Sequence, residues 1–201
     1  MTIPPSIIIA VEDELSGAVM SRLVEHSGLN IIINRIFNAR GNTQLKIGMT
    51  KFREASRTFP HIVLTDLDRY PCPPELINAW NANRLPPQML FRVAVREVEA
   101  WLLADRGGIS KFLCVDINKI PQAPEAEEDP KRTLINIARK SRKRKFVQEI
   151  VPEVGSSASI GPHYNLHLIN FVNSEWDIDK ACQCAPSLAK ALTRISTFLT
   201  K

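Results

Sequence analysis

Apolar residues occur in four short runs along the first hundred residues of the chain. Runs of this length, rich in isoleucine and valine, are typical of strands that are buried in a parallel sheet. The predicted strands are SIIIAV from Ser6 to Val11, GLNIIINRIF around Ile31 to Ile36, HIVLTD from His61 to Asp66, and QMLFRVAV from Gln88 to Val95.

Segments of helical periodicity separate these runs. Val19, Leu23 and His26 recur at helical spacing after the first run. Leu45, Met49, Phe52 and Ala55 do so after the second run, and PPELINAWNA carries prolines where a first helical turn tolerates them. Strands that alternate with helices predict an α/β fold with a parallel, doubly wound sheet of about four strands.

The second half of the chain has a helical pattern. REVEAWLLAD is predicted to be an amphipathic helix, and PSLAKALTRISTFL places Leu188, Leu192, Ile195 and Leu199 on one face. We therefore predict an α/β core over residues 1–106 and a helical appendage, packed on that core, over residues 107–201. The proline-spaced acidic loop near 121–130 is predicted to be mobile.

The positive charge is concentrated in one segment. Of the formal net charge of +5, residues 131–145 contribute eight positive charges and no negative one, which leaves −3 for the rest of the chain. A localised basic segment favours binding to a nucleic-acid backbone, although a solvated helix face is the plain alternative. The predicted phosphate-binding residues of the segment are Lys140, Arg142, Lys143, Arg144 and Lys145.

Composition predicts a cytoplasmic protein. With 44% hydrophobic residues, the 201-residue chain can bury a sizeable core, yet no apolar run approaches the roughly 18 residues that span a bilayer. The start, MTIPPSIIIAVEDE, lacks the basic region of a signal peptide. Its four cysteines form no CxxC pair, which favours reduced thiols over a zinc site. We expect no membrane contact.

Acidic residues follow three of the predicted strands. In an open parallel sheet, reactive groups gather beyond the carboxyl ends of the strands. Like charges at such close range raise one another's pKa unless a cation balances them, and Mg²⁺ or Mn²⁺ is the natural partner of carboxylate oxygens. The acids are Glu12, Asp13 and Glu14 after the first strand, Asp66 and Asp68 after the third, and Glu97 and Glu99 after the fourth.

Two families share this arrangement, and one is the receiver domain of two-component signalling. IIIAVEDE followed by HIVLTDLDRYP resembles the acidic pair and the phosphorylated aspartate of a receiver, which would make Asp66 the phospho-acceptor. However, MLFRVAVRE ends without the switch Ser or Thr, and no Lys-Pro follows a fifth strand. A receiver-like phospho-acceptor domain is therefore the lesser alternative.

The other family is the TOPRIM fold of topoisomerases, primases and overcoming-lysogenization-defect nucleases. Glu12, Asp66 and Asp68 match its glutamate after strand one and its Asp-x-Asp after strand three. VREVEAWLLAD and APSLAKAL also resemble a bacterial family of TOPRIM-like proteins of unassigned activity, often encoded beside an ABC-type ATPase. This resemblance covers most of the chain, and its most distinctive string is EAWLLAD. The family usually has glycine at the position of Asp13.

The resemblance implies a TOPRIM/Rossmann-like fold and a Mg²⁺-dependent nuclease, or a related phosphodiester-processing enzyme, with a role in anti-phage defence beside an ATPase partner. The aspartates would hold Mg²⁺ or Mn²⁺, and Glu12 would be a general base or acid or a further ligand. DNA, RNA and nucleotide substrates all fit. The alternative is a non-catalytic TOPRIM-like partner or regulatory subunit of an ATPase.

Further residues are candidates for the same site. Glu99 is the first candidate for an additional metal ligand, and Asp13 and Glu97 are the other available acids. Arg69, and Arg92 or Arg96, are predicted to bind a scissile phosphate, because guanidinium groups bind phosphate through two parallel hydrogen bonds.

Overall fold

The computed structural model describes residues 4–200, and a four-stranded parallel sheet forms the centre of its first compact unit. The strands are β1 (Ser6–Val11), β2 (Ile32–Asn38), β3 (His61–Asp66) and β4 (Met89–Ala94). All neighbouring pairs are parallel, and the strand order is β2-β1-β3-β4. The predicted α/β fold with a parallel sheet of about four strands is confirmed.

Three helices connect these strands: α1 (Glu14–His26), α2 (Asn42–Ala55) and α3 (Pro73–Ala79). The chain passes from β1 to β2 on one side and then continues to β3 on the other side of β1. The strand order thus reverses between β1 and β3. In open α/β sheets, ligands bind beyond the carboxyl ends of the strands at such a switch point.

Strand β2 differs from its prediction as a buried strand. It lies at the edge of the sheet and pairs only with β1, and Ile32 and Ile36 are 47% and 41% exposed. An apolar run predicts that a strand forms but does not tell where in the sheet it lies. Strand β3, which has neighbours on both sides, is buried at every residue.

The second compact unit, residues 96–188, is helical. Its helices are α4 (Val98–Ala104), α5 (Arg106–Leu113), α6 (Pro130–Ala138), α7 (Arg144–Ile150), α8 (Tyr164–Ser174) and α9 (Ile178–Cys184), with 3-10 turns at Ile117–Lys119 and Pro124–Ala126. Helix α4, predicted to be amphipathic, is instead buried at every residue. The indole of Trp101, which lies in α4, donates a hydrogen bond to Ser187 Oγ at 2.7 Å.

The unit boundaries differ from the predicted division at residue 106. The first unit ends at Val95, and Ala189 onward also belongs to it, so that helix α10 (Pro186–Leu199) begins in one unit and ends in the other. Gly107 and Gly108 lie inside α5, and the Asp105 carboxylate caps this helix by accepting a hydrogen bond from the Gly108 N–H at 2.9 Å.

The two charged segments of the second unit have defined local structure. The basic residues 131–145 do not form one helix, since α6 ends at Ala138 and α7 begins only at Arg144. In the acidic stretch 121–130, Glu125 accepts hydrogen bonds from the Ser187 hydroxyl at 2.6 Å and from its N–H at 2.9 Å. The mobility of that stretch stays a prediction. Among residues 4–200, no helix is long and apolar enough to cross a membrane.

Candidate active site at the carboxyl edge of the sheet

Glu12 directly follows β1, and its carboxylate is tied to the end of β3. The Oε1 atom accepts hydrogen bonds from the Thr65 hydroxyl at 2.5 Å and from the Asp66 N–H at 2.9 Å. It also accepts one from the Asn42 amide at 3.3 Å. Because β1 and β3 are parallel neighbours, their carboxyl ends place this glutamate at the switch point of the sheet.

The predicted pair of aspartates lies at the same place. Asp66 is the last residue of β3 and is only 7% exposed. Asp68 is exposed and has a left-handed backbone with φ of +49°, which aspartate tolerates better than most residues. Its Oδ2 atom accepts a hydrogen bond from the Asn42 amide at 3.1 Å. The structure thus brings Glu12, Asp66 and Asp68 together.

Asn42 also belongs to this site, although the sequence patterns did not predict it. Its single Nδ2 atom reaches both Glu12 Oε1 and Asp68 Oδ2, and it lies 3.4 Å from Thr65 Oγ1. Asn42 is the first residue of α2, and the N–H of the preceding Gly41 donates to the Glu12 carbonyl at 2.9 Å. The only local signal is Gly-Asn before a helix, which ordinarily indicates a cap.

The surroundings of Glu12 disfavour its negative charge. Burial raises the pKa of its carboxyl; hydrogen bonds from Thr65 and the Asp66 N–H act in the opposite direction, and the charge of Asp68 raises it further. Burial has the largest effect, so the net result is a pKa above the ordinary value. The three hydrogen-bond donors are neutral groups and do not compensate the negative charge. A bound cation would therefore stabilise the ionised form.

The donor set fits a hard divalent cation. Carboxylate and amide oxygens are the ligands that Mg²⁺ and Mn²⁺ prefer. The Asn42 nitrogen, within 3.3 Å of Glu12 and 3.1 Å of Asp68, marks a position that both carboxylates already reach. Nevertheless, in the described residues no three His, Cys, Asp or Glu side chains are arranged as the ligands of one metal ion. The metal role of these acids stays a prediction.

Asp13 has a structural function in the turn that follows Glu12. It is the N-cap of α1, and its Oδ1 atom accepts a hydrogen bond from the Ser16 N–H at 2.8 Å. Its φ of −145° is extended backbone that any residue adopts. The aspartate at a position where the family usually has glycine thus introduces no backbone strain, and its role as an extra metal ligand stays a prediction.

Glu97 and Glu99 belong to the second unit, where both carboxylates have partners. Glu97 Oε2 accepts a hydrogen bond from the Lys131 N–H at 2.9 Å, at the start of α6. Glu99 is 1% exposed, accepts a hydrogen bond from the Tyr164 hydroxyl at 3.0 Å, and lies 3.5 Å from the Lys131 ammonium. Within this unit both acids thus have structural partners, and their use as metal ligands is a separate prediction.

The predicted phosphate-binding residues have different surroundings. Arg69 is exposed beside Asp68 in the first unit, whereas Arg96 is partly buried in the second. Burial, and then the charge of Arg194, lower the pKa of Arg92. The predicted phosphate-binding residues that follow α6 in the sequence are all exposed: Lys140, Arg142, Lys143, Arg144 and Lys145. Their binding to phosphate stays a prediction.

The chain is similar to a solved structure. It is the C-terminal region of the Burkholderia pseudomallei OLD protein, with a TM-score of 0.47 and 14% sequence identity, over 98% of this chain and 100% of that one. No protein-family model matches the chain, and no curated protein matches it. This likeness assigns neither a family nor an activity, and the function is therefore inferred from the site itself.

Proposed function

We propose that the protein is a Mg²⁺- or Mn²⁺-dependent nuclease, or a related phosphodiester-processing enzyme, that acts on nucleic acid. One observation carries this proposal: carboxylates from separate strand ends, Glu12 and Asp68, reach a single amide nitrogen at the switch point of the sheet. Two like charges held this close favour a divalent cation, and the position is where open α/β sheets bind their ligands.

Glu12, Asp66 and Asp68 would hold the metal. When bound, the ion supplies the charge that stabilises the phosphoryl oxygens and the leaving oxygen during hydrolysis. Glu12 would serve as a general base or acid where it is not itself a metal ligand. Its Oε1 atom receives all three hydrogen bonds, and burial raises the pKa of the carboxyl above its ordinary value. Arg69, exposed next to Asp68, would bind the scissile phosphate.

The nucleic-acid substrate is supported by the positive charge of residues 131–145, which suits a phosphate backbone. A role in anti-phage defence and an ABC-type ATPase partner follow from the sequence resemblance alone, and both stay predictions.

Cleavage assays on purified protein test this proposal. Plasmid DNA and a structured RNA are incubated with Mg²⁺ or Mn²⁺ and with the wild type, the Asp66→Ala, Asp68→Ala double variant, or Glu153→Ala. Glu153 is an exposed acid of the second unit, so its variant controls for the loss of a negative charge. We expect metal-dependent cleavage by the wild type and by the Glu153 variant only. Equal cleavage by the double variant, with its fold verified by circular dichroism, would reject the assigned site.

A further inference from the structure

A cavity of about 400 Å³ lies in the second unit, between helix α6 and the segment that precedes α8. Its polar lining consists of Asp129, Lys131, Arg132, Asn136, Arg139 and Ser159. We propose that this cavity binds a phosphate group of a nucleic-acid strand. The assignment to a strand rests on the proposed function, whereas the affinity for phosphate rests on the cavity alone.

Helix α6 presents its polar residues to the cavity because of their spacing. Arg132, Asn136 and Arg139 follow one another at four and three residues, and they therefore lie on one face of the helix. Other positions of α6 anchor it in the unit, since Leu134 and Ala138 are fully buried. Helix α6 and its C-cap residue, Arg139, thus hold the two arginines about two turns apart.

The charges in the cavity favour an anion. Three cations face one acid, and Asp129 uses its Oδ1 atom to cap α6 through the Arg132 N–H at 2.7 Å. Across residues 4–200, neither Arg132 nor Arg139 forms an ion pair through its guanidinium group. Lys131, in contrast, has Glu99 as a partner at 3.5 Å. Two guanidinium groups beside an amide and a hydroxyl match the donor pattern that phosphate oxygens require.

The remaining cations of the basic segment differ from these two arginines. The Lys143 ammonium lies 4.9 Å from the centre of the Phe146 ring, and Lys145 lies 3.8 Å from Glu149. Lys140 and Arg142 are exposed but do not line the cavity. Only some cations of residues 131–145 therefore line the cavity, and the others contribute general positive charge outside it.

Two double variants with the same loss of charge separate these contributions. Fluorescence anisotropy measures the binding of a labelled single-stranded oligonucleotide to the Asp66→Asn, Asp68→Asn protein in EDTA, so that cleavage plays no part. We expect Arg132→Gln, Arg139→Gln to weaken binding at least tenfold and to lower the slope of log K against log salt by about 1.4, the value for two contacts to a single strand. Lys140→Gln, Arg142→Gln removes two of the predicted phosphate contacts outside the cavity and should therefore weaken binding less, by about threefold.

Three results would overturn the proposal. Equal losses in the two double variants would leave only general electrostatic attraction. Absence of oligonucleotide binding by the parent protein would show that a nucleic-acid strand is not the ligand. Arginine-dependent binding of inorganic phosphate or ATP, measured directly by calorimetry, in a protein that does not bind the oligonucleotide would replace the strand by a free phosphate compound. Arginine-dependent oligonucleotide binding by a protein that fails the cleavage assay would instead reject the proposed activity and retain this site. Thermal unfolding of each variant verifies that it is folded.

Discussion

Buried carboxylates of the two units have opposite surroundings. In the first unit, Glu12 accepts hydrogen bonds only from neutral groups, and the charge that acts on it is that of Asp68. In the second unit, the buried carboxylate of Glu99 faces the Lys131 ammonium and the Tyr164 hydroxyl. Burial alone therefore does not identify a functional acid. The two acids differ in whether the surrounding groups compensate the negative charge.

Asp105 shows the same stabilising pattern in the second unit. It is 1% exposed and accepts hydrogen bonds from the Gly108 N–H at 2.9 Å and the Asp177 N–H at 3.0 Å. Acids of this unit connect helices and satisfy backbone donors. Glu12, the uncompensated acid of the first unit, lies instead beyond the strand ends, where open α/β sheets bind ligands. A buried charge without compensation lowers stability, and such groups are typical of functional sites.

The largest expected effect is on activity at Glu12. Glu12→Gln keeps the shape of the side chain and its acceptor oxygen, but it removes the charge and the capacity for proton transfer. We expect cleavage to fall about 10³-fold, within the range for a general acid or base, with no loss of folding stability. Initial rates and urea unfolding curves provide the two measurements. Full activity with Gln would show that the acid of the first unit is structural, like those of the second.

Glu99→Ala should have the next largest effect, on stability. It leaves the Tyr164 hydroxyl without its acceptor and the Lys131 ammonium without a partner at 3.5 Å. We expect the free energy of unfolding to fall by about 2 kcal/mol, less than for a fully buried pair because Lys131 is 33% exposed. Urea denaturation measures this loss, with the exposed Glu153→Ala as the control. A stability equal to that of the control would remove the contrast between the units.

Asp13→Ala compares a structural acid with a functional one inside the first unit, because Asp13 lies next to Glu12 but caps helix α1. Loss of the hydrogen bond to the Ser16 N–H should lower the free energy of unfolding by about 1 kcal/mol. Asp13→Ser should retain most of the stability, because serine also caps helices. The cleavage rate per folded molecule should change little in either variant. A large loss of activity in Asp13→Ser would instead identify Asp13 as a functional acid.

The smallest expected effect is the pH dependence of stability in EDTA. The pKa of Glu12 in the folded protein is raised above its ordinary value of 4.5, so the folded state binds this proton more tightly than the unfolded state does. The wild type should therefore lose stability, relative to Glu12→Gln, as the pH rises from 4.5 through the raised pKa. Urea unfolding at a series of pH values measures the difference, and a difference of the opposite slope would contradict the described surroundings of Glu12.

Local patterns were sufficient to predict most of the sheet and the acids at its edge. The continuous apolar run from His61 to Asp66 predicts a buried strand with its carboxyl end at the aspartate, and the structure has β3 at these residues. The proximity of Glu12 then follows from the rule that parallel strands deliver their carboxyl ends to one edge. This inference needs only strand order and direction, and both are strongly constrained in α/β folds.

Features that depend on distant contacts were not predictable in this way. Asn42 joins the site only because the turn after β2 lies beside the ends of β1 and β3, thirty residues from Glu12 in the sequence. The exposure of β2 depends on its place at the edge of the sheet. The basic segment covers nearly all of α6, the connection at residues 139–143 and the start of α7, and the local charge pattern does not indicate which of its cations line a cavity.

The most direct test of the central claim, that carboxylates at the switch point hold a divalent cation, is a calorimetric titration with Mn²⁺. Wild type, the Asp66→Asn, Asp68→Asn variant and Glu153→Ala are titrated at pH 7.5 in metal-free buffer. We predict saturable binding by the wild type and by the Glu153 variant, and at least tenfold weaker binding by the double variant. Identical isotherms for all three proteins, or no binding by the wild type at millimolar Mn²⁺, would contradict it.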